Sequence, residues 1–277
     1  MVNILTDSTA DLGQALAKKH HIQTVPLYVN LVDKVYADGV DINNTILFQS
    51  VKDTGQLPKT SAPSVVDFQK YFEQPGETVY IGLSSQLSAT VQNALQAQEN
   101  CPPGKVFVID SLNLSTGIGL LALKACDLRD AGLEGAEIDR QVKALVPKVR
   151  TSFVVETLEF IYKGGRCSAV ENLMGTLLHI RPVISVRPDG TLGVKGRTRG
   201  TRQKAFDFML DDFRDNLSEI DLQRVFITHT GCDADADYLK QELLKIAPIQ
   251  NVFVTLAGSV IASHCGPDTI GILYMLK

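Results

Sequence analysis

Apolar residues along this chain fall into short runs separated by longer segments with helical spacing. Residues 2–6 form the first run and predict a strand. Asp7-Ser8-Thr9-Ala10-Asp11 follows as a turn and helix cap, and Leu12, Ala15 and Leu16 give an apolar face to a helix reaching Lys19. Acidic residues at a helix start complement its dipole, so Asp7 and Asp11 have a structural explanation beside any functional one. Residues 25–36 predict a strand pair that turns near Asp33-Lys34, and Asn43 or Asn44 caps a helix through Thr54. Ser64 caps a helix containing Val65, Phe68 and Phe72, and Ser88 caps one containing Val91, Ala94 and Leu95. Strands at 79–83 and 106–110 and a helix at 115–129 complete the first half. Strands that alternate with helices predict a parallel sheet covered on both faces. In such sheets ligands bind at the carboxyl ends of the strands.

The rhythm changes after a charged amphipathic helix at 134–146, which is expected to bridge two domains. Strands are expected at 151–155, 183–186 and 192–195, the last two flanking the hairpin turn Arg187-Pro188-Asp189-Gly190. A basic loop at 196–202 precedes a helix ending near Leu217. Strands at 225–228, 252–256 and 270–276 follow, with a helix at 234–246 between the first two and a fully buried setting for the second. The expected fold is α/β. An N-terminal three-layer α/β/α domain with a parallel sheet spans 1–150, and a C-terminal α+β domain with a mixed sheet spans 151–277.

Composition narrows the function classes. The 277 residues suffice for two modest domains with a sizeable core. Lys+Arg 27 against Asp+Glu 31 gives a net charge of −4, which argues against a general nucleic-acid binder. No stretch reaches the ~18 apolar residues of a membrane helix. The N-terminus has no basic region or cleavage site, so a cytoplasmic location without stable membrane insertion is expected. The 5 cysteines are scattered, without C-x-x-C spacing, and His229 and His264 show no metal-ligand spacing. Reduced thiols, no metal and no cofactor are expected.

Candidate chemistry centres on residues 258–268. His264 stands after the apolar run at 252–256 and is followed by the turn-forming Gly266-Pro267. A lone histidine there would read as a core residue. Two hydroxyl-rich turns, Thr60-Ser61-Ala62-Pro63-Ser64 and 84–90, strengthen the reading as a site. Thr60, Ser61, Ser88 and His264 are neutral or nearly neutral donors at pH 7, and helix starts beside them add backbone N–H groups. Together they suit a carboxylate or phosphate, although helix capping alone would also account for the hydroxyls. Lys59-Thr60 lacks the glycines of a phosphate-binding loop. The glycines of Gly117-Ile118-Gly119 lie inside a helical pattern, where close packing explains them better than a dinucleotide. Hydrolysis would need a carboxylate orienting the histidine, and no G-x-S-x-G is present. Binding is therefore favoured over the alternative, a hydrolase or acyltransferase using Ser88 or Ser61 with His264.

Six stretches in this order resemble the DegV family of bacterial fatty acid-binding proteins. They are 6–12, 59–64, 83–90, Lys163-Gly164-Gly165-Arg166, Lys195-Gly196-Arg197-Thr198-Arg199, and 258–267. The resemblance implies a two-domain fold holding one long-chain fatty acid between the domains. It implies that hydroxyls at Thr60, Ser61 and Ser88, close to His264, hold the carboxylate. It also implies that the protein does no chemistry and presents the acid to a separate fatty acid kinase, which makes acyl phosphate for phospholipid synthesis. Arg166, Arg197 and Arg199 would lie near the pocket mouth or the kinase-facing surface, or form a solvated basic loop. The chain departs from the family pattern at Ala89, Val91, Cys167 and Cys265. None of these changes removes a carboxylate donor.

Overall fold

The structure is a computed structural model that describes residues 1–169 and 180–277. Strands β1 (Val2–Asp7), β2 (Ile22–Val25), β6 (Glu77–Gly82) and β7 (Val106–Asp110) form a parallel sheet in the order β2-β1-β6-β7. Side chains alternate between its faces, as strand geometry requires. Ile4, Val79, Ile81 and Ile109 pack with helices α5 (Thr116–Asp130) and α6 (Gly135–Leu145). Leu5, Tyr80, Val106 and Val108 pack on the other side with α3 (Val65–Phe72) and α4 (Thr90–Gln98). These are the three layers that the first-half pattern predicts.

Three antiparallel strands, β3 (Tyr28–Leu31), β4 (Lys34–Ala37) and β5 (Lys59–Ser61), make a small separate sheet. Helix α1 (Gly13–Lys19) packs on β2, and α2 (Asn44–Thr54) follows the small hairpin. Asn43 caps α2, its side chain accepting from Ile46 N–H. The second sheet is mixed, in the order β10-β9-β8-β13-β11-β12. Its strands are β8 (Val149–Val154), β9 (Ile180–Val186), β10 (Leu192–Arg199), β11 (Ile220–His229), β12 (Val252–Leu256) and β13 (Ile270–Leu276). Helix α7 (Glu159–Lys163) follows β8. Helices α8 (Arg202–Asp215) and α9 (Asp233–Ile246) bury one face of the sheet through Phe206, Phe213, Leu239 and Leu243.

Helix α5 lies between the two sheets, touching β1 and β6 on one side and β8, β11 and β13 on the other. A helix covered all round is apolar all round, and ten of its residues, Gly117 to Leu123 among them, are buried. Its glycines permit close approach: a Cβ on Gly119 would meet Leu12 at 2.7 Å. Hairpin tip 187–190 docks on the first layer, where Ser84 Oγ donates to Gly190 O at 2.9 Å.

Several expectations are corrected. Residues 259–265 are not a strand end. They form helix α10 (Ser259–Cys265), bracketed by Gly258 and by Gly266, whose φ of 81° suits glycine. Two turns are too few for apolar periodicity to register. Residues 59–61 form a strand rather than a turn. Strand β12 is an edge with Leu256 60% exposed, not a buried strand. The basic loop begins only after Arg199, because β10 continues past a register shift between Val194 and Gly196. Helix α6 packs on β6, β7 and α5 and so belongs to the first layer system. Ser88 is one residue early for a cap: Ala89 holds that position on α4, although Ser88 Oγ still accepts from Thr90 N–H at 3.3 Å.

Candidate functional site

Helix α10 carries His264 in its last turn and packs against α2, β3, β5 and α7. That placement brings the ring to Thr60 on β5, across 204 positions of sequence. Thr60 Oγ1 and His264 Nε2 are 2.7 Å apart. The other ring nitrogen, Nδ1, is buried and has no hydrogen-bond partner among the described residues. Gly164, after α7, closes on that side: a Cβ there would stand 2.7 Å from Nδ1. Burial, and then the charge of Arg166, lower the His264 pKa to about 4. The ring is neutral at physiological pH.

Ser88 sits at the start of α4, half-buried, its hydroxyl 2.8 Å from that of Thr90. Arg166 is exposed and bridges the two regions: Nη1 donates to Gly164 O at 2.6 Å and Nε to Leu87 O at 3.5 Å. Its guanidinium thus lies between the residue before Ser88 and the loop over His264. Ser61 is exposed, and as the next residue on β5 it directs its side chain to the face opposite Thr60. Arg197 and Arg199 are exposed on edge strand β10, without hydrogen bonds or ion pairs among the described residues.

His264 and Arg166 border a cavity of about 70 Å³ between the second sheet and α10. Leu114, Phe153, Ile161, Leu192, Ile261 and Leu273 supply most of its wall. The threonines that also line it have their hydroxyls engaged. Thr151 donates to Asn113 Oδ1 at 2.7 Å, Thr230 to Gly266 O at 2.8 Å and Thr269 to Cys265 O at 2.9 Å, and Thr228 pairs with Thr116 at 2.7 Å. Those hydroxyls make no demand on a ligand, so the cavity is suited to hydrocarbon. His229 lines it too, buried and with its pKa lowered by burial. The apolar wall residues did not stand out in the sequence, because they have the composition of ordinary core.

A larger open groove, about 1280 Å³, shares the Thr230–Ala257 wall with this cavity. It does not reach His264, and its wall mixes Leu12, Ile22, Ile42 and Phe48 with Asp7, Asp11, Asp38 and Lys52, whereas the smaller cavity borders His264 and is the better candidate. No group of His, Cys, Asp or Glu among the described residues could hold a metal ion. No helix among them is long and apolar enough to cross a membrane.

The depressed His264 pKa has a stability consequence. An unfolded histidine takes up its proton near pH 6.5, whereas the native ring does so near 4. The unfolded chain therefore binds more protons between those values. The stability contributed by the neutral ring is fully present above about pH 6.5 and is lost as pH falls toward 4, by about 3 kcal/mol at most. Denaturant unfolding from pH 7 to 4 should show this loss in the wild type and a smaller one in His264→Gln. Parallel pH profiles would contradict the burial of a neutral ring.

Comparison with known proteins agrees with this architecture. The family model described as "Uncharacterised protein, DegV family" matches residues 1–277. A DegV domain-containing protein of Clostridium acetobutylicum is 32% identical over 281 residues, covering 100% of this chain and 99% of the relative. A solved DegV family protein from Thermus thermophilus, described for its fatty acid binding, is 34% identical. It superposes with a TM-score of 0.92 over 100% of this chain and 99% of that one. A stearic acid-binding protein from Eubacterium ventriosum is 26% identical, with a TM-score of 0.88 over 100% and 99% of the two chains. With the family model and a relative of this identity both spanning the whole length, the chain belongs to the DegV family.

Proposed function

We propose that this protein binds one long-chain fatty acid, with its tail in the cavity between the second sheet and α10 and its carboxylate at the Thr60–His264 pair. The observation that carries the reading is that pair itself, a 2.7 Å contact between a hydroxyl and a neutral imidazole at the edge of an apolar cavity. Nε2 of His264 carries the proton and donates to Thr60 Oγ1. The Thr60 hydroxyl hydrogen is then free to donate to a carboxylate. Ser88 completes the donor set, and Ser61, whose side chain leaves the opposite face of β5, lies outside it. A neutral histidine offers no salt bridge, so the head group is held by hydrogen bonds alone.

Energetics permit this. The tail needs several times the 70 Å³ open here, so the cavity walls part to admit it. Burying about 14 methylenes at ~0.8 kcal/mol each then gives an upper bound of roughly 11 kcal/mol. Association and ordering remove several of these, which leaves sub-micromolar binding within reach. The protein itself performs no chemistry and uses no cofactor. It works in the cytoplasm and presents the acid to a separate fatty acid kinase for acyl phosphate formation and phospholipid synthesis. Exposed Arg197 and Arg199 face that partner, and Arg166 guards the pocket mouth. A Ser–His hydrolase would need Nε2 on a serine and a carboxylate on Nδ1. Here Nε2 meets a threonine, and Nδ1 has no partner among the described residues.

The test is extraction. Mass spectrometry of the purified, denatured protein should release about one equivalent of free long-chain acid. Absence of lipid, together with turnover of an activated acyl ester that Ser88→Ala abolishes, would overturn the reading in favour of an enzyme.

A further inference from the structure

The start of α10 is held by two carboxyl groups from the other half of the chain. Asp11 Oδ1 accepts from Gly258 N–H at 2.7 Å, and Asp38 Oδ1 accepts from Ser259 N–H at 2.7 Å. Asn44 adds a third contact, Nδ2 donating to Ala257 O at 2.8 Å. Gly258 is obligatory between the acids, because a Cβ would stand 2.9 Å from Asp38 Oδ2 and 3.3 Å from Asp11 Oδ1. Asp11 is 5% exposed and Asp38 3%.

The two acids differ in their partners. Both Asp11 oxygens accept hydrogen bonds, the second from Ser115 Oγ at 2.6 Å. Asp38 Oδ2 is buried and takes none among the described residues. The Ser8 hydroxyl, which accepts from Leu27 N–H, and the Val260 N–H also face Asp38 and oppose the rise that burial causes, although neither forms a hydrogen bond to Oδ2. Asp7 is the remaining charged neighbour, and its own oxygens are occupied by Thr9, Tyr80 and Leu83. No cation among the described residues forms an ion pair with Asp11 or Asp38.

Two buried carboxylates side by side without a cation cannot both stay ionised at low cost. A buried oxygen without a donor is the atom on which a proton costs least. We propose that Asp11 and Asp38 are positioning residues of the head-group site, a carboxyl–carboxylate pair with one proton on Asp38 Oδ2, which anchors the start of α10 and thereby aims His264 at Thr60. Burial raises both carboxyls, Asp11 the further of the two with the charges of Asp38 and Asp7 adding to it, which supports one proton on the pair; the oxygen without a partner is what assigns it to Asp38. The inference rests on the proposed carboxylate site.

Asparagine has the shape of a protonated aspartic acid, which yields an asymmetric expectation. Asp38→Asn keeps an acceptor for Ser259 N–H and a donor where the proton sits, so stearate affinity should stay within about twofold of wild type. Asp11→Asn loses one of two acceptors, and Asp38→Ala loses the anchor. Each should weaken stearate roughly tenfold or more while methyl stearate binding changes far less. Infrared spectra near neutral pH should show the carbonyl stretch of a buried neutral carboxylic acid in the wild type, and Asp38→Asn should lack it. That readout holds even where Asp38→Ala fails to fold.

Three results would overturn the proposal. Asp38→Asn could weaken stearate as much as Asp38→Ala, the acid band could survive in Asp38→Asn, or Asp11→Asn could cost acid and ester equally. Thr60→Val in the same titrations separates the failures. If Thr60→Val discriminates acid from ester and the Asp variants do not, only the positioning role falls. If Thr60→Val does not discriminate either, the carboxylate site falls with it.

Discussion

Asp7→Ala should destabilise the protein by about 3–5 kcal/mol, the range for removing one member of a buried charged network. Asp7 is fully buried at the end of β1, and four donors converge on it. Oδ1 accepts from Thr9 N–H at 3.0 Å and from the Thr9 hydroxyl, and Oδ2 accepts from Tyr80 Oη and Leu83 N–H, both at 2.8 Å. Alanine leaves all four without a partner inside the core, and each orphaned group costs about 1–3 kcal/mol less whatever water recovers. Asp7→Asn preserves the shape and one acceptor, so it should cost about half as much. Urea unfolding at pH 7 measures both, and a loss below about 1 kcal/mol for the alanine variant would mean that the network is not a unit.

Ile261→Trp should abolish stearate binding under ordinary assay conditions. Ile261 lies on α10 beside the cavity, among the residues that pack with Phe153, Ile161 and Leu192. An indole there occupies space that the acyl chain requires. Displacing six methylenes forfeits about 5 kcal/mol at ~0.8 kcal/mol each, between three and four orders of magnitude in affinity. Acid and methyl ester should fall together, because the tail contacts are common to both. Unimpaired binding in Ile261→Trp would place the tail elsewhere, the larger groove being the next candidate.

The sequence was most informative where structure is local. Alternation of apolar runs and helical faces is enough to read β1, β6 and β7 with α3, α4 and α5, because each element shows its own period. Thr60 and His264 were legible only as polar residues at element ends. Their 2.7 Å contact spans 204 positions and depends on where α10 docks, which no local pattern encodes. Helix α10 itself, at 7 residues, is shorter than the window in which helical periodicity becomes visible. Asp38 did not stand out in the sequence, since nothing in its neighbourhood announces that it will be buried at the start of α10. The cavity wall was hidden for the opposite reason: Phe153, Ile161 and Leu273 have the composition of core, and only the gap between the second sheet and α10 distinguishes them.

Calorimetric titration of Thr60→Val with stearate and with methyl stearate, beside the wild type, tests the central claim. Valine keeps the shape of threonine on β5 and removes the hydroxyl that meets His264. A charge-assisted hydrogen bond of roughly 1.5–3 kcal/mol is then lost from the acid alone, a 10- to 150-fold weakening. The account predicts that loss for stearate and an unchanged affinity, within about twofold, for the ester, which lacks the anion. Equal loss for acid and ester, or no loss for either, would contradict a carboxylate held at Thr60 and His264.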